Sequence, residues 1–287
     1  MADLFQDYVA AFEALVRQGG PLSDAELQPQ SLPELAADAP VCLVFSPHPD
    51  DEVIAGALPW RLRTTERWRV VNVAVTLGSR HDRRAQRWRE LERSCDYLGF
   101  DLVSVAGEPG AAFEQVLPRE RSVDPDRHAA QVARVEALIR HYRPRVVVCP
   151  HALDGHPAHI GTHDLVMDAL LQLAPPWRLH LLLSEYWNTQ MQPALMLELG
   201  QVQVAALVAA LTLHVGEVAR NPYHLSLPAC FIDAARRGAE RVGPPGGPAS
   251  GNIFAALYGW QRWQHGQAVP MPARVAPAAG AIAGFFA

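Results

Sequence analysis

The stretch VCLVFSPHPDDE, residues 41–52, decides the fold prediction. Its first six residues are apolar and β-prone, which predicts a buried strand, and its end carries the polar side chains of His48, Asp50, Asp51 and Glu52. The start of a helix after the strand also accounts for such a tip, because helices favour a polar cap and acidic residues in the first turn. Residues 41–52 alone therefore fit two explanations of the polar tip, a helix cap and a functional site.

Beyond this stretch, apolar β-prone runs alternate with segments of helical periodicity. Strands that are apolar throughout and separated by helices are typical of a parallel sheet covered on both faces. The predicted fold class is therefore α/β, a Rossmann-like, mostly parallel sheet with helices on both faces. No G-x-G-x-x-G motif follows the first strand, so the fold does not indicate NAD binding. The predicted strands are 41–46, 69–77, 101–107, 145–150 and 179–187, and the predicted helices lie near 52–65, 82–98, 126–141 and 159–173.

Three regions are expected along the chain. Residues 1–40 hold an N-terminal helix, at 3–17, and a linker rich in Pro, Asp and Gln. Residues 41–242 form the main domain, with a further helix predicted near 192–211. Residues 243–287 are predicted to be a loop and a Pro/Ala-rich C-terminal extension. Residues 268–287 are expected to be frayed, and docking of their apolar end on the body or on another subunit is the alternative.

The composition is that of a soluble globular protein, with 49% hydrophobic and 19% charged residues. A net charge of -5 argues against nucleic acid or an anionic membrane surface as a partner. We expect no signal peptide and no membrane span, because no stretch approaches ~20 consecutive apolar residues. Four dispersed cysteines indicate a reduced, cytoplasmic protein. Lysine is absent, which excludes a lysine nucleophile, and abundant Arg, Ala, Pro and Gly indicate a bacterial source.

A second polar cluster follows the predicted strand at 145–150. The segment HALDGHPAHIGTH contains four histidines, His151, His156, His159 and His163. Both clusters lie at the carboxyl ends of predicted parallel strands, which is the edge where open α/β sheets bind ligands. Imidazole and carboxylate together suit a zinc-like divalent metal. His48 and Asp51 can face one ion with Asp50 beside it, and a third ligand would come from the second cluster.

Three segments resemble one known family. PHPDDE at 47–52 and GHPAH at 155–159 resemble the motifs of the PIG-L/LmbE-like zinc-dependent deacetylases, which remove acetyl from N-acetylglucosamine derivatives. RWRELERSCDYLG at 87–99 is similar to the family's R-x-x-E…LG helix. The resemblance implies that residues 41–242 are an LmbE-like metal-dependent deacetylase domain.

The resemblance also implies a metal site. It makes His48, Asp51 and His159 the metal ligands, with zinc as the cofactor. The same ligands serve iron(II) or cobalt(II), so the metal stays open. His163, one helical turn after His159, stays an alternative ligand, and His151 stays an undecided pocket residue.

Catalytic roles follow from the same resemblance. It makes Asp50 the general base that takes a proton from metal-activated water, and it makes a protonated His156 the group that stabilises the oxyanion. Arg87 matches an arginine that contacts the sugar in some members; an ordinary arginine on a helix surface is the alternative.

One position departs from the family pattern. The family has aspartate where this chain has Ala158, and that aspartate orients the electrophilic histidine and raises its basicity. His156 is therefore expected to be protonated less often. Asp154 is a candidate substitute for the missing carboxylate, and a β-turn residue is the alternative.

The last predicted strand ends in SEYW at the same edge of the sheet. Glu185, Tyr186 and Trp187 are therefore candidates for shaping a sugar pocket, with Tyr186 as a substrate-binding residue, although a packed strand end accounts for them equally. Arg236 and Arg237 either meet an anionic substrate or form a solvated helix face.

The leading functional hypothesis is removal of an acetyl group from an N-acetylated amino sugar or glycoconjugate. One alternative is an amidase that cleaves a larger N-acyl group or a thiol conjugate. Another is a non-catalytic homologue that keeps metal and sugar binding, which the loss of aspartate at Ala158 permits. The expected partner is a small molecule, and assembly into a homo-oligomer is left open.

Overall fold

The computed structural model describes residues 2–18, 27, 30–173, 176–244 and 251–287. The described residues form nine strands in a single sheet. The strands are β1 (Val41–Ser46), β2 (Arg69–Ala74), β3 (Asp101–Ser104), β4 (Val146–Pro150), β5 (Leu179–Ser184), β6 (Leu195–Leu199), β7 (Phe254–Gln264), β8 (Gln267–Pro270) and β9 (Arg274–Ala276).

The sheet has the order β3-β2-β1-β4-β5-β7-β6-β9, and β8 pairs with β7. Its first five strands are parallel to one another, whereas β7 runs antiparallel to β5 and β6. The predicted fold class, a mostly parallel α/β sheet, is confirmed. The strand order changes direction at β1, because β2 lies on one side of β1 and β4 lies on the other side. At such a switch point a crevice forms at the carboxyl ends of the two strands.

Helices cover both faces because each presents an apolar stripe to the sheet. One face packs against α6 (Pro125–Tyr142) and α7 (Pro157–Leu171). The other packs against α3 (Ala57–Thr64), α4 (Arg84–Leu98), α8 (Gln201–Thr212) and α10 (Tyr223–Arg241). The helices are α1 (Ala2–Gln18), α2 (Asp51–Ile54), α3 (Ala57–Thr64), α4 (Arg84–Leu98), α5 (Glu120–Val123), α6 (Pro125–Tyr142), α7 (Pro157–Leu171), α8 (Gln201–Thr212), α9 (Val215–Val218) and α10 (Tyr223–Arg241).

The prediction of one helix near 192–211 is partly wrong. Residues 195–199 form the strand β6, and the helix α8 begins only after Gly200. The segment is almost continuously apolar, so periodicity does not separate a buried strand from a buried helix. Pairing with β7 and β9 on its two sides makes 195–199 extended.

The prediction that residues 268–287 are frayed is wrong, because β9 pairs with β6 and Ile282 and Phe286 are 1% exposed; the apolar end docks on the body, as Phe286 does against Trp68. β7 lies inside the sheet between β5 and β6, and Trp260 and Trp263 on this strand are 2% exposed. The hydroxyl of Tyr258 accepts a hydrogen bond from the Leu58 N–H and donates one to the Ala55 carbonyl oxygen. Pairing with β5 and β6 therefore keeps this part of the chain ordered, although its glycine, proline and alanine content suggested a loop. Of the predicted loop at 243–252, residues 245–250 lie outside the described residues.

The predicted N-terminal helix is present as α1. Its apolar side chains, Leu4, Tyr8, Phe12 and Leu15, are 53–71% exposed. Of the predicted linker that follows, residues 20–26, 28 and 29 lie outside the described residues. Among the helices that the structure describes, none combines the length and apolar character needed to cross a membrane.

Candidate active site

Both polar clusters meet at the carboxyl ends of β1 and β4, which are adjacent parallel strands. Three side-chain atoms form a nearly equilateral triangle there. His48 Nδ1 lies 3.2 Å from His159 Nε2, and both nitrogens lie 3.3 Å from Asp51 Oδ2. The structure thus brings together the three residues proposed as ligands, although 111 positions separate the two histidines.

The spacing of these three atoms fits a metal ion. Tetrahedral zinc with nitrogen and oxygen ligands at ~2.0–2.1 Å requires neighbouring ligand atoms about 3.3–3.4 Å apart. His48 lies next to the turn and His159 is buried in the first turn of α7. Burial alone would raise the pKa of Asp51, yet the adjacent His159 and His48 hold it below its ordinary value. An ionised carboxylate between two imidazoles is the donor set that a divalent transition metal prefers.

The turn after β1 fixes Asp51 and Asp50 by backbone hydrogen bonds. The His48 N–H donates to Asp51 Oδ2 over 2.8 Å, and Asp51 begins α2. Asp50 has a φ of 112°, which non-glycine residues rarely adopt. The Asp50 N–H donates to Glu52 Oε2 over 2.9 Å, so the fully buried Glu52 holds this backbone in place.

The Asp50 carboxylate is 5% exposed and lies beside the metal triangle. Burial raises its pKa well above the ordinary value, the Asp51 carboxylate adds to this, and Arg87 opposes it. Arg87 Nη2 lies 3.8 Å from Asp50 Oδ1 and donates to the Pro49 carbonyl oxygen over 2.9 Å. Arg87 is thus not an arginine of an open helix surface, because its side chain is only 12% exposed and lines the same cavity.

His156 caps the start of α7 and faces the same cavity. Its Nδ1 accepts the Ala158 N–H over 3.2 Å, which leaves Nε2 to carry the proton of the neutral ring. Burial lowers the pKa of His156, and the nearby His48 and His159 lower it further. One ring nitrogen from each of His48, His156 and His159 lies within 4.8 Å of the other two, so His156 borders the triangle and is itself within reach of a shared metal ion.

Asp154 contacts the backbone of His156 and the ring of His159. Its Oδ1 accepts the backbone N–H of His156 and lies 3.5 Å from His159 Nδ1. Its Oδ2 accepts the Trp187 N–H. This carboxylate is 2% exposed and supports the loop and His159, and its charge also acts against the burial that lowers the pKa of His156. The sequence placed Asp154 near His156 in the chain, but the side chain turns towards the other histidine.

Tyr186 and Trp187 flank the histidines. The ring of Tyr186 stands at 88° to that of His159 with centroids 4.7 Å apart, and its buried hydroxyl has no hydrogen-bond partner among the described residues. Burial raises the pKa of Tyr186 well above its ordinary value, with Asp51 adding to the effect. Trp187, 60% exposed, stacks on His156 at 5.9 Å. Glu185 instead faces α10, where it forms an ion pair with Arg237.

The remaining histidines of the second cluster lie outside the triangle. His151 Nε2 contacts the Asn188 carbonyl oxygen over 2.9 Å, and its Nδ1 accepts the Leu153 N–H. Both ring nitrogens are therefore occupied by the protein. His163 contacts Asp164 instead and does not join the metal-type group found among the described residues.

Glu217, which the sequence analysis missed, lies at one wall of the cavity in contact with several arginines. Glu217, 8% exposed, contacts Arg220, lies 3.5 Å from Arg87 and 3.9 Å from Arg83, and accepts the Asn221 amide. No local motif marks Glu217, because only tertiary packing brings α9 next to α4. The whole cavity has a volume of about 810 Å³.

Comparisons with known proteins find similar sequences and folds. Residues 43–170 match the family model described as PIG-L, GlcNAc-PI de-N-acetylase. A curated relative from Mycobacterium leprae, 1D-myo-inositol 2-acetamido-2-deoxy-alpha-D-glucopyranoside deacetylase, is 30% identical over 158 residues, which are 47% of this chain and 51% of the relative. The chain thus spans about half the length of the curated relatives it matches.

Solved structures share the fold at low identity. N,N'-diacetylchitobiose deacetylase from Pyrococcus horikoshii is 14% identical with a TM-score of 0.55, covering 88% of this chain and 92% of that chain. GalB, the 4-carboxy-2-hydroxymuconate hydratase from Pseudomonas putida, is 15% identical with a TM-score of 0.56, covering 77% and 95%. These likenesses concern the fold alone. The match of residues 43–170 to the PIG-L model spans the stretch that holds the two motifs.

Proposed function

We propose that this protein is a metal-dependent hydrolase that removes the acetyl group from an N-acetylated amino sugar or its glycoconjugate. One observation carries the proposal. His48, Asp51 and His159 present three ligand atoms 3.2–3.3 Å apart, next to a buried carboxylate, at the base of an open cavity. The named activity of the Mycobacterium leprae relative supports the same reaction.

Zinc is the proposed metal, held by His48, Asp51 and His159, and iron(II) or cobalt(II) are alternatives with the same ligands. When bound, such an ion supplies a Lewis acid and lowers the pKa of water towards ~7. The two neutral imidazoles and one carboxylate leave a position for water or substrate, which is typical of catalytic rather than structural sites.

The side chains around the triangle are proposed to transfer the proton, stabilise the oxyanion and bind the substrate. Asp50 takes the proton of the attacking water, since its raised pKa brings it nearer to neutral pH than an exposed aspartate. His156 donates its Nε2–H to the carbonyl oxygen as negative charge develops there. Arg87 borders Asp50 and contacts the sugar, and Tyr186 contributes its unpaired hydroxyl to substrate binding.

The cavity extends beyond the triangle, which bears on the substrate. Its wall past Asp50 carries Arg83, Glu217 and Arg220, so there is room for a group attached to the sugar as well as the sugar itself. A hydrolase that accepts a larger N-acyl group than acetyl is the second candidate, and the same cavity of about 810 Å³ favours it.

Metal analysis and an amine-release assay test the proposal. Purified protein is analysed for bound metal, then stripped and reconstituted with zinc, iron(II) or cobalt(II). A panel of glucosamine derivatives with N-acyl groups of increasing size is then screened for free amine with fluorescamine. We expect one metal per chain and amine release from N-acetyl substrates, with His159→Asn as the variant that loses metal. Release only from larger acyl groups would favour the amidase. Tight sugar binding without amine release in metal-loaded protein would favour a non-catalytic homologue.

A further inference from the structure

A second cavity opens at the opposite edge of the sheet, at the amino ends of β4 and β5. It has a volume of about 440 Å³, and we call it the amino-end cavity. Its lining consists of Arg145, Arg178, Leu179, His180, Arg262, Gln264, Phe286 and Ala287. The strand β4, Val146–Pro150, runs between the two cavities, so they lie roughly 17 Å apart along this strand. The two sites therefore do not share residues or a ligand.

Three guanidinium groups line this cavity without an acidic side chain among the lining residues. Among the residues that the structure describes, no carboxylate forms an ion pair with Arg145, Arg178 or Arg262. Arg145 instead lies over the ring of Trp68 at 5.8 Å. Arg237, by contrast, forms an ion pair with Glu185.

His180 is the buried polar group of the cavity, at 4% exposure. It lies directly opposite Arg262 in the pairing of β5 with β7, and its N–H donates to the carbonyl oxygen of Arg145. Its Nδ1 accepts the Trp260 indole N–H over 3.0 Å, which assigns the ring proton to Nε2. Phe286 packs edge-on against the ring at 5.5 Å. The indole of Trp260 and the ring of Phe286 thus fix the imidazole of His180, and its Nε2–H remains available as a donor.

The electrostatics of His180 agree with an uncompensated positive charge. Burial lowers its pKa to about 4, and the charges of Arg262 and Arg145 contribute to the shift. A neutral imidazole that donates one N–H, together with three arginines, makes a lining in which donors outnumber the acceptors of Gln264 and Ala287. Such a set is complementary to an anion with several acceptor oxygens.

We propose that the amino-end cavity is a binding site for a phosphate group, either free or carried on a small metabolite. Arginine forks match the oxygens of a phosphate in pairs, and the double negative charge offsets the excess of guanidinium groups. Arg145, Arg178 and Arg262 hold the phosphate from the rim, and His180 Nε2 donates from the floor. The apolar wall of Leu179 and Phe286 accommodates a small attached group.

Titration calorimetry with the full chain tests this site. The probes are inorganic phosphate, pyrophosphate and glycerol 2-phosphate, with sodium chloride at matched ionic strength as the reference. We expect saturable binding of one phosphate-bearing probe per chain, and a loss of about tenfold or more in affinity for Arg178→Gln. Arg178 is exposed and has no described partner, so this variant keeps the fold. Arg262→Gln should weaken binding by a similar factor.

Two controls separate this site from the metal cavity. Arg84→Gln removes a guanidinium from the metal cavity, and Arg236→Gln removes one from the open face of α10. Both should bind phosphate as the unaltered protein does. The proposal is overturned if heat changes match those of chloride, if binding is lost in Arg84→Gln and kept in Arg178→Gln, or if only an adventitious ion is held, seen as equal weak binding in all variants. Glycerol 2-phosphate binding more tightly than phosphate indicates a metabolite; the reverse order indicates the free ion.

Discussion

Asp50 combines a backbone in the left-handed region with a buried carboxylate. A φ of 112° costs of order 1–3 kcal/mol for a residue with a side chain, and such strain persists where neighbouring groups fix it. Glu52 accepts the Asp50 N–H and Arg87 donates to the preceding carbonyl oxygen. The Asp50 side chain forms no cap hydrogen bond at the N-terminus of α2. Its carboxylate therefore faces the cavity and does not cap the helix.

Asp50→Asn tests the proton-accepting role at this position. The substitution keeps the shape of the side chain and removes its basicity, so we expect turnover to fall by about 10²–10⁴-fold. Bound metal should stay at the level of the unaltered protein, because the triangle does not include Asp50. The measurements are kcat by amine release and metal content by mass spectrometry, with the exposed Asp82→Asn as control. Turnover equal to that of the control would remove Asp50 from the mechanism.

Asp154 makes a different prediction because it contacts His159. A buried carboxylate 3.5 Å from His159 Nδ1 orients the ring for metal binding through Nε2. For Asp154→Asn we expect zinc affinity to fall by about 10–100-fold. Competition with a chromogenic chelator measures it, and Asp164→Asn, next to His163, serves as control. Unchanged zinc affinity together with a shifted pH–rate profile would favour the assignment of Asp154 to His156.

At the scale of elements, one buried network joins α2, α4 and the start of α9 behind the active site. Glu52 Oε1 accepts the Ser94 hydroxyl over 2.6 Å and lies 2.7 Å from His214 Nε2. All three side chains are at most 1% exposed. Glu52 belongs to the PHPDDE motif, but its partners come from distant helices, so the sequence assigned it only to a helix start.

Ser94→Ala and His214→Leu test how much this network stabilises the fold. Ser94→Ala removes one hydrogen bond to a buried carboxylate, for which we expect a loss of about 1.5–3 kcal/mol in the free energy of unfolding. His214→Leu removes the partner of a buried charge, and the expected loss is about 3–5 kcal/mol. Urea unfolding followed by tryptophan fluorescence measures both. The exposed Ser122→Ala should change the free energy by less than about 0.5 kcal/mol. Equal values for all three variants would contradict the network's role.

The same scale shows why some elements were predicted from the sequence and others were not. β1, β4 and the helices after them carry strong apolar runs that end in polar clusters, and adjacent parallel strands bring those ends together. The sequence therefore predicted that His48 and His159 would lie close together. It did not predict β6 and β7, because their extended state depends on pairing with each other across more than 50 intervening residues.

At the scale of the whole molecule, the C-terminal region completes the sheet that holds the site. β7 is the antiparallel link between β5 and β6, and Tyr258 connects it to the segment between α2 and α3. Arg61 of α3 donates to the carbonyl oxygens of Pro277 and Gly280, which attaches the last residues to the same helix. The metal-site turn and the end of the chain are thus parts of one packed unit.

A truncated chain that stops at Gly243 tests this unity. Without β7, the strand β6 loses its pairing partner, and the apolar faces under Trp260 and Trp263 are exposed. We expect the truncated protein to aggregate or to unfold without a cooperative transition, with no stoichiometric metal. Removal of residues 1–29 is the matched control, because α1 presents exposed apolar side chains, and it should leave a cooperative urea transition and full metal content. Cooperative unfolding of the chain that ends at Gly243, with one metal bound, would make residues 244–287 an extension after all.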